Sequence, residues 1–191
     1  MISRGITRRA SLLLPLLVAA CGSNEPREFP PLRYTYLPPL RLKVATIDIE
    51  QRFIPSGVPP DVSPQDPVPP VQALRQMAED RLQAFGTTGR AVFSIQDASL
   101  IRQDDTVIGN MAVGLDIYTS DNTRAGFAEA RVSRRRTGNL GDLPSALYDM
   151  TRAMMDDMNV EFEYQVRRSL KDWLATTTAV PAPVESQPLT Q

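Results

Sequence analysis

The clearest structural signal lies in residues 107–119, VIGNMAVGLDIYT, where apolar side chains recur at every second position. This period of two predicts a β-strand with one face on a core, formed by Met111, Val113, Leu115 and Ile117. The polar residues 120–123 then predict a hairpin loop, and residues 125–136 predict the returning strand. On the returning strand Ala128, Ala130 and Val132 face one way, while Phe127, Glu129 and Arg131 face the other.

The segments before this hairpin supply two more strands and a helix. Residues 91–97 alternate in the same way and predict a strand. Residues 41–53 also predict a strand, but its apolar positions change sides near residues 45–46, which either a bulge or a strand covered on both faces would explain. Between these two strands, residues 71–85 carry an apolar stripe at helical spacing and precede Gly86, a residue suited to a left-handed helix cap.

The longest predicted element is a helix over residues 142–174, whose apolar residues recur at steps of three and four. Pro144 is tolerated only in a first turn, so the helix begins near Asp142. About 30 residues make a helix of ~45 Å, which either breaks near residues 158–159 or projects beyond the sheet. Residues 54–70 predict a proline-rich loop, either functional or mobile.

The element order β-α-β-β-β-α predicts an α+β domain. We expect a four-stranded, mainly antiparallel sheet, because three consecutive strands with short connections pair as a meander. Both helices should cover one face of this sheet.

The composition removes several classes of chemistry. The 191-residue chain holds no histidine, which excludes Ser-His-Asp and Cys-His triads and imidazole bases. Its one cysteine, Cys21, can form neither an intrachain disulfide nor a cysteine metal cluster. Lys43 and Lys171 are the only lysines, so a lysine nucleophile has few candidates. We therefore expect no enzymatic activity, no cofactor and no metal.

Residues 1–20 predict a signal peptide. Arginines at positions 4, 8 and 9 precede a short apolar run over residues 12–20, which is too short to span a membrane. The run ends in Val18-Ala19-Ala20-Cys21, which resembles the lipobox of bacterial lipoproteins. This resemblance implies cleavage before Cys21 and lipidation of its thiol, so that acyl chains hold the protein in a membrane. The alternative is a secreted protein with an incidental free cysteine.

Two features of the leader bear on the destination. Gly22 follows the cysteine, and in the enterobacterial sorting pattern that this lipobox resembles, the absence of aspartate there favours the outer membrane, facing the periplasm. Residues 7–13 partly resemble a twin-arginine export signal, but Ser11 departs from it, so Sec export stays open. Removing the leader leaves 18 basic and 22 acidic residues, a net charge of −4 that favours no nucleic-acid partner.

The mature chain divides into three predicted parts. Residues 21–40 form a lipidated, proline-rich tether, which at ~3 Å per residue could hold the domain up to ~60 Å from the lipid. Residues 41–174 form the α+β domain. Residues 175–191 are small, polar and interrupted by prolines, which predicts a disordered tail.

The densest acidic group lies on the predicted long helix. Asp149, Asp156 and Glu163 recur every seven residues and form one stripe. This stripe fits a divalent-cation site or a set of acid–base carboxylates. It also fits a solvated helix face, which we favour because no glycine-containing ligand loop accompanies the acids. The nearby basic partners for such a face are Arg152, Arg167 and Arg168.

Three other groups are candidate contact points. Arg134-Arg135-Arg136 ends a strand and could hold a lipid headgroup or an acidic partner, or be an ordinary charged strand end. A methionine stripe on the long helix could line an adaptable apolar groove, although such a stripe is more often core: Met150, Met154, Met155 and Met158. The aromatic residues Tyr34, Tyr36 and Trp173 could contact a partner or pack on the domain.

The lipobox at residues 18–21, the proline tether and the order β-α-β-β-β-α together resemble small envelope lipoproteins. Two families share this plan: the lipoprotein subunit of the lipopolysaccharide-assembly translocon, and the auxiliary lipoproteins of ABC-type lipid-transport systems. The anchor, the reach of the tether, the missing catalytic residue types and the long helix favour a membrane-anchored, non-enzymatic accessory or scaffold with an envelope protein partner. The alternative is a carrier that holds a lipid or other hydrophobic ligand between the Met-rich helix and the sheet. An enzyme that uses the acidic stripe is a third and weaker hypothesis.

Overall fold

The computed structural model describes residues 27–175, so the leader, Cys21 and most of the predicted tail lie outside the described range. The predicted α+β class is confirmed: two α-helices pack with a mainly antiparallel sheet. The strands are β1 (Leu40–Leu42), β2 (Thr46–Gln51), β3 (Leu82–Ala84), β4 (Arg90–Gln103), β5 (Thr106–Tyr118) and β6 (Arg124–Thr137). The helices are α1 (Pro70–Arg81) and α2 (Leu143–Ser169), with short 3₁₀ turns at Ser63–Gln65 and Lys171–Trp173.

The main sheet has the strand order β2-β4-β5-β6. As predicted, β4, β5 and β6 form an antiparallel meander, and β2 is the parallel neighbour of β4. Parallel neighbours need a long crossover, which here runs through a proline-rich loop, α1 and β3. A second, two-stranded parallel sheet pairs β1 with β3, from Leu40↔Leu82 to Leu42↔Ala84. The sequence pattern gives no sign of this second sheet.

One face of the main sheet and the two helices enclose a common core. Phe93, Leu115 and Ala128 are register neighbours on the three meander strands, and all three are buried. α1 packs on β4, and α2 packs on β5 and β6. Phe162 of α2 meets Phe93 edge-on, with 5.5 Å between the ring centroids. Both helices therefore contribute to the core on the predicted side of the sheet.

The start of α2 follows the sequence signals, but its end does not. The Asp142 side chain caps the helix by accepting a hydrogen bond from the Ser145 amide at 3.1 Å, and Pro144 stands in the first turn. The helix is continuous past Met158, where a break was one of the two expectations, and it ends at Ser169 instead of Leu174. The residues beyond form a 3₁₀ turn that brings Leu174 back to β1.

The predicted strand over residues 41–53 is two strands, β1 and β2, which belong to different sheets. The chain bends between them at Ala45, whose amide donates to the Gly89 carbonyl at 3.0 Å. This division explains why the apolar positions change sides. Leu42 and Val44 point into the core beside β3, while Ile47 and Ile49 pack against it from the main sheet.

The predicted helix over residues 71–85 is too long at its C-terminal end. α1 stops at Arg81, and the next three residues form β3. Gly86 is therefore not a helix cap. A Cβ there would stand 2.5 Å from the Lys43 carbonyl carbon, so glycine is needed because two backbones approach closely at this point.

The proline loop, residues 54–69, is fixed along β4. The Val62 amide donates to the Leu100 carbonyl, and the Arg102 amide donates to the Pro60 carbonyl, both at 2.8 Å. β4 itself is longer than the predicted strand at residues 91–97, because a bulge after Ile95 shifts the alternation and turns Leu100 toward the core.

Candidate functional site

The predicted lipidation site, Cys21, lies outside the described residues, and its modification stays a prediction. Residues 27–39, which we call the strap, are described and lie on the two helices. Tyr34 in the middle of the strap is only 3% exposed. Phe29, Leu32 and Leu37 pack against the core. Over these residues the chain is not the extended tether that its prolines predict.

The first attachment of the strap joins its N-terminal end to α2. Arg27 donates two hydrogen bonds to the Asp149 carboxylate, at 3.1 and 2.5 Å. Its guanidinium carbon also lies 5.5 Å from the Phe29 ring centroid and 5.7 Å from that of Tyr148. The Tyr148 hydroxyl donates to the Pro30 carbonyl at 2.9 Å. The hydrogen bonds from Arg27 hold the pKa of Asp149 below its usual value, although partial burial opposes them.

The second attachment joins the middle of the strap to α1. Arg33 donates two hydrogen bonds to the Asp80 carboxylate, at 3.0 and 2.8 Å, and the Tyr34 amide donates to the same group at 2.7 Å. Burial alone would raise the pKa of Asp80, but these hydrogen bonds and one from Gln76 hold the pKa below its usual value. Burial also raises the pKa of Tyr34, whose hydroxyl finds no hydrogen-bond partner among the described residues.

The third attachment is a buried arginine at the end of α1. Arg81 is 1% exposed and donates to the Asn159 side chain at 3.1 Å and to the Pro38 carbonyl of the strap at 3.2 Å. It also forms an ion pair with Glu163 of α2. Burial would raise the pKa of Glu163, but Arg167 and Arg81 hold it below its usual value. One arginine thus joins α1, α2 and the strap.

The acidic stripe is therefore occupied by arginines. Asp149 binds Arg27, Glu163 binds Arg81 and Arg167, and Asp156 lies exposed between them. The favoured interpretation, a solvated helix face partnered by Arg152, Arg167 and Arg168, is right only in part. Asp156 is exposed and Glu163 pairs with Arg167, but Asp149 and Glu163 are partly buried beside Arg27 and Arg81, two partners that are distant in sequence. Among the described residues, neither Arg152 nor Arg168 forms an ion pair with the stripe. Within residues 27–175 no three His, Cys, Asp or Glu side chains form a group that could hold a metal ion.

Sequence reasoning missed the strap's partners Arg27, Arg33, Asp80 and Arg81. For Arg81 a signal exists, because this residue continues the apolar stripe formed by Leu74 and Ala78 on α1. A charged residue on the buried side of a helix predicts a buried partner. For the other three residues no local pattern marks the pairing.

An open groove of about 240 Å³ lies beside the strap. Its lining includes two large apolar side chains that are mostly exposed, Tyr36 at 72% and Val160 at 73%. Tyr164, one helical turn beyond Val160, is 55% exposed. Asp156 and Glu163 border the apolar surface. A cluster of exposed apolar residues with a charged rim is typical of a surface that contacts another protein.

The methionine stripe is part of the core. Met154, Met155 and Met158 are fully buried, and Met150 nearly so. The packing against β5 is tight, because a Cβ on Gly109 would stand 2.6 Å from the Met154 sulfur. These side chains fill the space between α2 and the sheet in which the carrier hypothesis places its ligand.

Of the other candidate contact residues, the tryptophan packs against the core, whereas the three arginines that end β6 lie at the surface. Trp173 packs against the core, and its carbonyl accepts a hydrogen bond from the Lys43 amide at 2.8 Å. Arg134 forms an ion pair with Asp157 at 2.7 Å. Arg136 donates to the Ala146 carbonyl at 3.2 Å, while Arg135 is exposed.

The sheet face away from the helices is polar and lined with small residues. By register it carries Asp48, Glu50, Ser94, Asn110, Gly114, Glu129 and Arg131. The Gln96 side chain lies over Gly114, where a Cβ would stand 2.5 Å from its amide nitrogen. The exposed Phe127 lies under Arg124, 4.4 Å from its guanidinium carbon. In the described part of the chain this face offers no broad apolar surface for lipid.

No protein-family model matches the chain, and no curated protein sequence matches it. Solved structures with a distant likeness to this chain include three that are described as lipoproteins. The first, from Caulobacter crescentus CB15, is 13% identical, with a TM-score of 0.34 over 63% of this chain and 85% of its own. A minor lipoprotein from Acinetobacter baumannii is 15% identical, with a TM-score of 0.36 over 72% and 99% of the two chains.

The third structure, lipoprotein GNA1162 from Neisseria meningitidis, is 9% identical, with a TM-score of 0.27 over 64% of this chain and 97% of its own. Among residues 27–175, neither α1 nor α2 is long and apolar enough to cross a membrane.

Proposed function

We propose that the protein is a cell-envelope lipoprotein, anchored in the outer membrane through an acylated Cys21 and facing the periplasm. Its folded domain acts as a non-enzymatic accessory or scaffold for an envelope assembly or transport complex. One observation carries the anchor: the chain's single cysteine ends a sequence that resembles a lipobox, directly after a short apolar run. Several acyl chains at ~0.8 kcal/mol per buried methylene make such an anchor effectively permanent.

The groove beside the strap supports the role as an interaction module. Tyr36 and Val160 present apolar surface on rigid elements, because the strap is held at three points and Val160 stands on the long helix α2. A rigid apolar surface loses little conformational freedom on binding, which favours contact with a protein partner.

The anchor is tested by changing its one reactive residue. We expect the wild-type protein to fractionate with membranes and its N-terminal peptide to carry the mass of acyl groups on Cys21. We expect the Cys21→Ser variant to keep its leader, because the lipoprotein peptidase acts on the lipidated cysteine. A wild-type N-terminal peptide with a free thiol would contradict the proposal.

The partner surface is tested by site-specific photocrosslinking in intact cells. A crosslinker at Tyr36 or Tyr164 should capture one defined envelope protein, while the same crosslinker at Glu79, exposed on α1, should not. The Val160→Lys variant should abolish the adduct, because it places a charge in the apolar groove. Identical adducts from the groove and from Glu79 would contradict a specific surface there.

The alternative function, a carrier of a lipid or other hydrophobic ligand, is tested by looking for a bound lipid. Because Met154 and Phe162 fill the space between α2 and the sheet, we expect native mass spectrometry of the purified protein to show no co-purified lipid beyond the covalent acyl groups. A stoichiometric noncovalent lipid would favour the carrier.

A further inference from the structure

The attachment of the strap limits how far the domain can stand from its anchor. The described chain is already bound to α2 at Arg27, through Asp149. Six residue steps separate Arg27 from Cys21. Even fully extended, they span only ~20 Å, at ~3.4 Å per residue. The ~60 Å reach estimated for a free tether of residues 21–40 therefore does not apply while the strap is bound.

The surface around Arg27 carries further arginines. Arg136 reaches the Ala146 carbonyl at 3.2 Å, one helical turn before Asp149. Both Arg136 and Arg152 also lie close enough to Asp149 to help lower its pKa, after the larger effect of the hydrogen bonds from Arg27. Three guanidinium groups thus lie around the Asp149 carboxylate, while Asp142 is a second carboxylate near Arg27 and Glu28 is exposed beside Arg27 in the strap.

The neighbouring charges are mostly paired. Arg134 is bound to Asp157, and Asp142 caps α2. The turn between β4 and β5, near the end of β6, carries Asp104 and Asp105. Among the described residues, no carboxylate lies within ion-pair distance of three exposed arginines at this end of the domain, which we call the arginine cluster: Arg135, Arg136 and Arg152. Arg136 and Arg152 lie on the helix side of the sheet, whereas the strand alternation turns Arg135 to the opposite side of the end of β6.

We propose that the arginine cluster faces the bilayer in which Cys21 is anchored and binds the phosphate groups of its lipids. This inference rests on the proposed acylation of Cys21. The chain length argues for lipid, because the tether brings the Arg27 end of α2 to within ~20 Å of the membrane surface. The positive charge of the cluster also favours lipid, since exposed arginines that lie within about a Debye length of a membrane surface are attracted to its anionic headgroups.

This contact would fix the orientation of the domain relative to the membrane. α2 is 27 residues long, so its two ends are about 40 Å apart. With the Arg27 end at the membrane, the C-terminal end of α2 stands away from the lipid. The groove, which lies at Val160 and Glu163, then faces the periplasm, where a protein partner can reach it.

The orientation can be measured with two fluorescent labels on the mature, acylated protein in vesicles. One label is attached at Asn139→Cys, in the loop before α2, and the other at Ser169→Cys, at its far end; both positions are exposed. Acylated Cys21 does not react with the dye, so each variant has one labelled position. The vesicles contain phosphatidylcholine with or without phosphatidylglycerol, and a lipid with a quencher on its headgroup.

We expect the label at residue 139 to be quenched several-fold more strongly than the label at residue 169, most clearly with phosphatidylglycerol. The triple variant R135Q, R136Q and R152Q should lose most of that difference in anionic vesicles. A matched control, R41Q, R168Q and K171Q, removes the same charge at the other end of α2 and should keep it. Thermal unfolding of both triple variants checks that each is folded.

Equal quenching at the two positions, or equal loss in both triple variants, would overturn the proposed orientation. An acidic protein as the true ligand would overturn it too: the residue-139 label would stay unquenched in pure vesicles, and crosslinking in cells at the cluster would yield a protein adduct. The mass of the N-terminal peptide separates this failure from that of the anchor. An unmodified Cys21 removes both proposals, whereas an acylated Cys21 with equal quenching removes the orientation alone.

Discussion

The strap and the proline loop have similar compositions but are held by different forces. Both are rich in proline and lack a periodic apolar pattern, and both lie against the domain. The strap is attached mainly by arginine side chains paired with carboxylates of α1 and α2. The proline loop is attached by backbone hydrogen bonds to β4 and by carboxylates turned inward. Composition thus predicts irregular structure without predicting how it is held.

The two regions should also respond to pH in opposite directions. Asp66 in the proline loop is 3% exposed, and burial raises its pKa to about 6, although hydrogen bonds from Thr151 and the Val68 amide favour its charged form. The carboxylates of α1 and α2 at the strap's attachments, Asp80, Asp149 and Glu163, have pKa values below their usual range. Acid should therefore weaken the strap's attachment and strengthen that of Asp66.

The largest expected effect follows from removing the carboxylate beside the buried arginine. The Glu163→Ala variant should lower the free energy of unfolding by about 3 kcal/mol, because Arg81 stays buried without its counter-charge. Urea unfolding of the mature protein measures the change. Arg167→Ala is the matched control, since it removes only the exposed partner of the same carboxylate and should cost about 0.5 kcal/mol or less. Equal losses would show that Arg81 does not depend on Glu163.

The second-largest effect is a pH-dependent change in stability that comes from Asp66 in the proline loop. The folded protein favours neutral Asp66, so stability falls as pH rises from about 4 to about 6 and stays lower above that window. Asp66→Asn mimics the neutral form and can hydrogen-bond both Thr151 and the Val68 amide. It should raise stability above pH 6 by up to about 3 kcal/mol, the equivalent of the rise in pKa, and change little near pH 4. A variant that is less stable than wild type at pH 8 would contradict the assignment.

The contrast between local and distant contacts also explains which parts of the fold were predictable. The strands β4, β5 and β6 and the start of α2 follow from alternation and from the Asp142–Pro144 start signal, which are local. β1 and β3 have three residues each, too few for any periodicity to show, and their paired residues are 42 positions apart in the sequence. The end of the predicted helix at residue 85 fails for the same reason, because Leu82–Ala84 pair with β1 instead of continuing α1.

The candidate site was predictable only in part. The acidic stripe on α2 is visible in the sequence, and the expected pairing of Glu163 with Arg167 is present. Its distant partners Arg27 and Arg81 could not be chosen from the sequence, since a carboxylate can pair with any arginine that the fold brings near. The methionine stripe was assigned correctly to the core because helical spacing alone distinguishes a buried face.

A smaller effect is expected at the middle of the strap. Asp80→Asn should lower stability by about 1 kcal/mol at neutral pH, because the side chain loses its charge and one of its two acceptor oxygens becomes an NH2 group that cannot accept from Arg33 or Gln76. In the wild-type protein the lowered pKa of Asp80 means that its contribution is present above pH 4 and is lost as pH falls further. Hydrogen exchange of the Tyr34 amide measures both changes. The neighbouring Glu79→Gln should leave that exchange rate unchanged.

The smallest effect on stability, and the most local, belongs to Arg27. Its pair with Asp149 is exposed on both sides, so Arg27→Ala should leave the unfolding midpoint almost unchanged. It should instead speed limited proteolysis within residues 28–33 without affecting residues 34–39, which Asp80 and Arg81 still hold. High salt should reproduce the same local change in the wild-type protein, because screening weakens exposed pairs. If the whole strap loosened together, its attachments would be cooperative, and the ~20 Å limit on the distance to the membrane would depend on Asp80 and Arg81 as much as on Arg27.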